Sequence, residues 1–426
     1  MGRIQLILTF VLSLLHIGSA TAQSAPSVKL QNLASSYAAK ENSELKEIFL
    51  NGLQNVDSQF RLMPDGTEYV STGDIGAEWL RDSSVEARPY LFFVKNNPSV
   101  AAFLKAVVMR QAKYILQDPY ANAFTIDYGI HEEKFELDSL ANPILLAWTY
   151  WKVSGDSSIF TSDVAKAFEV AVDTMITEQD HTLKSHYTHE GVSRNPVGRT
   201  GMIWTGFRPS DDSCKYGYLI PAEAMAVQAL QAIAEISSRV LKDSELERKS
   251  LTLKSQVWAG IQKYGIVKNK SGEDVLAYEV DGLGHQLMMD DANLPNLTSL
   301  TYYGAFESDD PVYVQTRKQS LSFENPYFFS GDVASGLGSS HTGDDMIWPL
   351  GLLSRGFTAQ SPHELIDVLR MLINSDSGDH LLHESFNQED PNEFTRANFG
   401  WPNALFIELW LTKSEGFAPL PTLAKP

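Results

Sequence analysis

The run 222-AEAMAVQALQAIAEI-236, opened by Pro221, carries apolar side chains at spacings of three and four along its whole length. That period is helical, because residues three and four apart share one helix face. Proline just inside the start is already set for a helical φ. The same reading extends in both directions. Ser244 precedes the periodic segment 245-ELERKSLTLKSQVWAGIQKYG-265, and Ser361-Pro362-His363-Glu364 combines an N-cap, an N1 proline and a capping-box glutamate. The spacing predicts helices over 43–60, 83–95, 99–116, 138–153, 157–179, 221–241, 244–264, 291–304, 312–320, 344–358, 361–374 and 400–413. Strand-like alternation is confined to short pieces such as 122-NAFTIDYGIHEE-133 and 186-HYTHEGVSRNPVG-198, which read as hairpins between helices. Twelve helices without a linker or low-complexity tract predict an all-α chain. Six helical hairpins would close into an (α/α)6 toroid with short β-hairpins in its loops.

The amino-terminal residues read differently. Arg3 is a small positive n-region, Ile4 to Ile17 are apolar, and Ala20-Thr21-Ala22 is a small-residue cleavage site. This is the pattern of a signal peptide over 1–22 with cleavage near Ala22, which predicts secretion and no membrane attachment afterwards, and leaves a single (α/α)6 domain over 23–426. The apolar run is shorter than the roughly 18 residues a spanning helix needs. A formal charge of −19 excludes a basic nucleic-acid footprint. Cys214 is the single cysteine and reads as a packing residue. Asn269-Lys270-Ser271 and Asn296-Leu297-Thr298 are N-glycosylation sequons.

Chemistry concentrates between the predicted helices. Segments such as 71-STGDIGAEWLRDSS-84, 135-FELDSL-140, 204-WTGFRPSDDSCKYGYLIPAE-223, 341-HTGDDMIWP-349, 383-HESFN-387 and 395-TRANFGWPNALFIE-408 mix carboxylates, indoles or phenols, Arg or Asn, and turn-forming Gly or Pro. Carboxylates and amides bond sugar hydroxyls, while aromatic rings pack on the apolar face of a pyranose. Glycosidic cleavage needs one protonated carboxyl and a second carboxylate. Many acids compete for these roles, and some (Asp138, Asp290, Asp344) read more simply as helix N-caps. Trp148, Trp151, Trp258 and Trp410 read as core; Trp79, Trp204, Trp348 and Trp401 lie among the loop motifs. Other chemistries fit poorly. His383-Glu384 lacks the second histidine of a zincin, 331-GDVASGLG-338 lacks the Lys-Ser/Thr of a phosphate loop, and there is no G-x-S-x-G elbow. His181, His186 and His189 have the spacing of a solvated hairpin rather than of metal ligands. No metal or cofactor site is expected.

Taken in order, TGDIGAEWLRDS, ELDSL, GFRPSDD with YGYLIP, YEVDGLG with MDDAN, NPYFFSG, HTG with IWP, LHESF and FTRANFGWPNALF closely resemble glycoside hydrolase family 125, over residues from about 44 to 412. The resemblance implies an (α/α)6 fold and metal-independent, inverting removal of non-reducing terminal α-1,6-linked mannose from mannose-containing oligosaccharides or N-glycans. It implies an aspartate as general acid, carried to Asp211 with Asp212 as the alternative, and Glu384 as general base. Asp74, Trp79, Arg81, Asp82, Asn122, Asp138, Arg208, Tyr278, His341 and Trp348 are the expected substrate-binding residues, with Arg81 or Arg208 helping to keep Glu384 ionised. Gly76 and Glu78 depart from the Pro-Ala-Met-like wording expected in the family. The additional carboxylate beside Trp79 is expected to bear on an outer subsite and on linkage preference. The alternatives are an inverting α-glycosidase of the same fold with another sugar or linkage, a non-catalytic carbohydrate-binding protein, and a metal-dependent mannosidase.

Overall fold

The computed structural model describes residues 25–40 and 42–425; the signal-peptide segment lies outside the described residues. Among the described residues are eleven α-helices of eight or more residues: α1 Ser43–Gln59, α2 Leu80–Ala87, α3 Pro98–Gln117, α4 Leu137–Ser154, α5 Ser162–Glu178, α6 Ile220–Ile236, α7 Ser244–Gly260, α8 Pro311–Ser320, α9 Pro349–Phe357, α10 Pro362–Asn374 and α11 Gly400–Lys413. Packing follows chain alternation. An inner ring runs α2–α4–α6, then the 3₁₀ turn Thr298–Thr301, then α9–α11 and back to α2. The other six helices lie outside it, and α11 also packs on α1, closing the circle. No helix among the described residues is long and apolar enough to cross a membrane.

The two rings are written differently. Every residue of α2 is buried, and in α6 all but Gln231 and Glu235 are. Whereas α2 buries Arg81, Asp82, Ser83, Ser84 and Glu86 along with its apolar residues, the predominantly apolar α6 is buried as a core helix is, and its alanines let α4 and α7 approach it closely. Truncating one of its larger side chains, such as Leu230, costs about 2–5 kcal/mol by transfer and cavity terms. The outer helices are amphipathic and all six are side-chain capped, by Asn42, Asn97, Thr161, Asp243, Asp310 and Ser361. The five inner helices have no such cap. Two of them instead continue directly from a two-residue strand (78–79 and 218–219), and a third follows the strand 346–347 after Trp348, so that a ladder fixes each entry.

Four expectations are corrected. The helix expected over 291–304 is reduced to the Thr298–Thr301 turn. Asp290 accepts hydrogen bonds from the amides of Leu297 and Thr298, and Asn296 from that of Ser299, so local side-chain bonds displace the helical ladder. Asp290 thus does cap a turn, whereas Asp138 lies inside α4 and Asp344 in a turn before a strand. The helix expected from 344 begins at Pro349, behind a left-handed Asp345 (φ 64°) and the strand Met346–Ile347. The 122–133 hairpin forms, pairing Ala123–Phe124 with Ile130–Glu132, but 186–198 contains no strand.

Candidate active site

A cavity of about 360 Å³ opens where six connections converge. Its walls come from Thr72, Ile75, Trp79, Arg81 and Asp82 at the start of α2, from His131, Glu132 and Lys134 before α4, and from Pro209, Ser210 and Asp211 before α6. Asn293 precedes the 3₁₀ turn, His341 and Trp348 precede α9, and Glu384, Arg396, Phe399 and Trp401 lead into α11. Each lining residue therefore stands in the segment, or the first turn, that enters an inner-ring element. The alternating topology aims all the inner amino-termini at this end, where helix dipoles favour negative charge.

Asp211 and Asp212 separate at a tight turn. Phe207 and Ser213 bridge across the base of the turn, the Arg208 amide bonds the Asp212 carbonyl at 2.8 Å, and Asp211 takes φ 63°. Asp211 lines the cavity, with Oδ1 accepting from Asn122 Nδ2 at 3.2 Å and lying 3.9 Å from Arg81 Nη2. Asp212 turns aside to Ser340 Oγ (2.6 Å) and to His341 Nδ1 (3.2 Å). Burial pulls the Asp212 pKa up, but these two partners outweigh it and hold it below the usual carboxylate value; His341 is raised in return, chiefly by its bond to Asp212.

Arg81 is the centre of the acidic wall. Its guanidinium stands 2.7 Å from Glu136, 3.3 Å from Asp138 and 3.5 Å from Asp82, and lies over the Trp401 ring at 5.1 Å. Burial pushes Asp82 up to about 6, against the pull of Arg81. Glu384 sits on the approach to the strand Ser385–Asn387, which pairs with Met346–Ile347 and Phe394–Thr395. Its charged partner is Arg396, Nη1 to Oε1 3.5 Å, not Arg81 or Arg208. Arg396 also holds Asp74 (2.8 Å) and the Thr72 carbonyl (2.9 Å), tying the α2 and α11 entries together.

Seven of the sequence-predicted site residues share the cavity wall: Trp79, Arg81, Asp82, Asp211, His341, Trp348 and Glu384. The rest stand behind it. Asn122 supports Asp211, Asp138 lies buried beneath Arg81, and Asp74 is the half-exposed partner of Arg396. Arg208 is committed to Glu279 at 2.6 Å, and Tyr278 is buried under the Arg208 guanidinium, away from the cavity. Glu78 is also corrected. Strand alternation turns Trp79 to the cavity and Glu78 into the core, where it meets Arg110 at 3.2 Å with both side chains fully buried. Its carboxylate forms no outer subsite. Sequence reasoning missed His131, Glu132, Lys134, Asn293 and Arg396 as wall residues. The first three lie on or just after the strand of the predicted hairpin, and the last in the quoted FTRANFGWP motif.

A helical toroid whose six inner entries converge on carboxylates and three indoles is the architecture of an (α/α)6 glycoside hydrolase. The chain belongs to glycoside hydrolase family 125, the metal-independent α-mannosidases, whose model matches residues 42–129 and 126–411. Among solved structures it is similar to a metal-independent α-mannosidase of Streptococcus pneumoniae in a non-productive complex with α-1,6-mannobiose, with 36% identity, TM-score 0.84, and coverage of 89% of this chain and 96% of that one. It is 35% identical to the meiotically up-regulated gene 157 protein of Schizosaccharomyces pombe, covering 87% of this chain and 82% of that protein. A bacterial glucoamylase complexed with acarbose shares the fold at 13% identity, with TM-score 0.63 and coverage of 89% of this chain and 57% of that one.

Proposed function

We propose that this α-mannosidase removes non-reducing terminal α-1,6-linked mannose from mannose-containing oligosaccharides such as N-glycans, with inversion, Asp211 as general acid and Glu384 as general base. The observation that carries the reading is that Asp211 and Glu384, entering from different inner-ring connections, line one cavity while Asp212 is tied outside it. The α-1,6-mannobiose bound by the Streptococcus pneumoniae relative supports the linkage.

Asp211 passes its proton to the glycosidic oxygen as the bond to C1 breaks. Glu384 takes a proton from the water that attacks C1 from the opposite face, so the product has the inverted configuration. Trp79, Trp348 and Trp401 offer apolar surface to the pyranose, and Asn293 and Asp82 offer hydrogen bonds to its hydroxyls. The ring over residues 43–413 supports a single catalytic domain, and the leader-like residues 1–22 support secretion.

Linkage is tested by mannose release from α-1,2-, α-1,3- and α-1,6-mannobiose. The expected result is release from the α-1,6 isomer at least about tenfold faster, a difference of about 1.4 kcal/mol in transition-state binding. Equal rates on all three would overturn the linkage assignment.

A further inference from the structure

The side-chain amide of Asn122 has a single possible orientation. The backbone amide of Lys134 donates to its Oδ1 at 3.0 Å, and a backbone N–H can only donate, so the atom facing it is the oxygen. Both hydrogens of Nδ2 are thereby turned the other way, one to Glu132 Oε2 at 2.8 Å and one to Asp211 Oδ1 at 3.2 Å. The surroundings of the amide are fixed in their turn. Lys134 Nζ holds the other Glu132 oxygen at 2.8 Å, and the Asn122 peptide links the Glu132 carbonyl (3.2 Å) to the amide of Leu80 (3.1 Å) at the start of α2. Asn122 is fully buried, whereas a quarter of the Asp211 side chain is exposed to the cavity.

Resting on Asp211 as the general acid, we infer that Asn122 is the positioning residue that selects which oxygen of Asp211 carries the catalytic proton. A neutral carboxyl accepts best through its carbonyl oxygen. Oδ1 faces the Asn122 donor and lies 3.9 Å from Arg81 Nη2. The positive ends of both groups make Oδ1 the carbonyl oxygen, so the proton belongs to Oδ2. As the bond from C1 to the glycosidic oxygen breaks, its electron pair goes to that oxygen, which takes the Oδ2 proton. The charge left on Asp211 is met by the Asn122 N–H already in place, and this hydrogen bond strengthens as its acceptor becomes a carboxylate. Glu384, held by Arg396 at a different ring entry, takes no part in this arrangement.

The test measures the wild type and Asn122→Ala on α-1,6-mannobiose and on an aryl α-mannoside whose leaving group needs no protonation. N122A should lower kcat about 30-fold on the disaccharide with KM within about threefold. On the aryl substrate it should lower kcat less than about threefold, because only proton delivery is impaired. An equal loss on both substrates would overturn the inference, showing that Asn122 supports the hairpin as a whole. So would a change confined to KM, or no loss on either substrate. Neutron diffraction from deuterated wild-type crystals at about pH 5 gives a reading that does not depend on the variant folding. Deuterium on Oδ2 of Asp211 is expected there, and deuterium on Oδ1 would overturn the inference. Wild-type turnover and its loss in Asp211→Asn, run alongside, separate failure of this inference from failure of the proposed activity.

Discussion

Nη1 of Arg396 stands 3.5 Å from Oε1 of Glu384, while the same guanidinium is fastened to Asp74 and to the Thr72 carbonyl. The proposed base is thus aimed by a residue that is itself fixed from a different hairpin. Arg396→Ala should lower kcat by about 10–100-fold with a smaller change in KM, because it loosens a group used in the transition state. Steady-state kinetics on α-1,6-mannobiose check this; a change confined to KM would make Arg396 a binding residue only.

Asp211→Asn and Asp212→Asn should differ sharply. The first removes the proton donor and should cost about 10²–10⁴ in kcat. The second removes only the charge and one of the two acceptor oxygens that Ser340 and His341 use, and about tenfold is expected from the loosened turn. Parallel kinetics of the two variants would reverse the assignment if Asp212→Asn were the more damaging.

Stability should fall as pH rises from 5 to 8. Glu86 is buried with both oxygens lacking a donor, and burial raises its pKa far above the usual value; burial likewise puts Glu78 and Asp290 at about 7. Unfolded, such carboxyls ionise near pH 4, so their contribution is complete below about pH 4 and is lost as pH climbs through the folded values. Each costs about 1.4 kcal/mol per pH unit over that range. Denaturant unfolding at pH 5 and pH 8 should show the loss, and Glu86→Gln should reduce it; a pH-independent midpoint would contradict the buried-acid assignment.

Expression in a host that adds N-glycans should modify Asn269 and leave Asn296 bare. Asn269 sits at the turn between the paired strands Ile266–Lys268 and Asp274–Leu276, whereas Asn296 is fully buried and bonds Ala292, Ser299 and Ser354. Intact mass should therefore drop by one glycan in Asn269→Gln and stay unchanged in Asn296→Gln apart from the substitution itself.

Helical period and capping residues marked eleven of the twelve ring positions, because those signals are local. The twelfth, at 298–301, was misread because Asp290 and Asn296 redirect the chain through side-chain bonds that a hydropathy period does not register. The site shows the same division. Motif wording located Asp211 and Glu384, but their sorting from Asp212, Tyr278 and Glu78 depended on φ at one residue, on strand parity and on partners far along the chain. Arg396 lies 12 residues from Glu384 but over 300 from Asp74. Only the closed ring makes it a clamp.

The most direct measurement is proton NMR of the purified protein acting on α-1,6-mannobiose with a chelator present. Inversion by Asp211 and Glu384 predicts β-mannose as the first anomer released, and its disappearance in Glu384→Gln. Initial α-mannose would contradict the acid–base assignment and point to a covalent route.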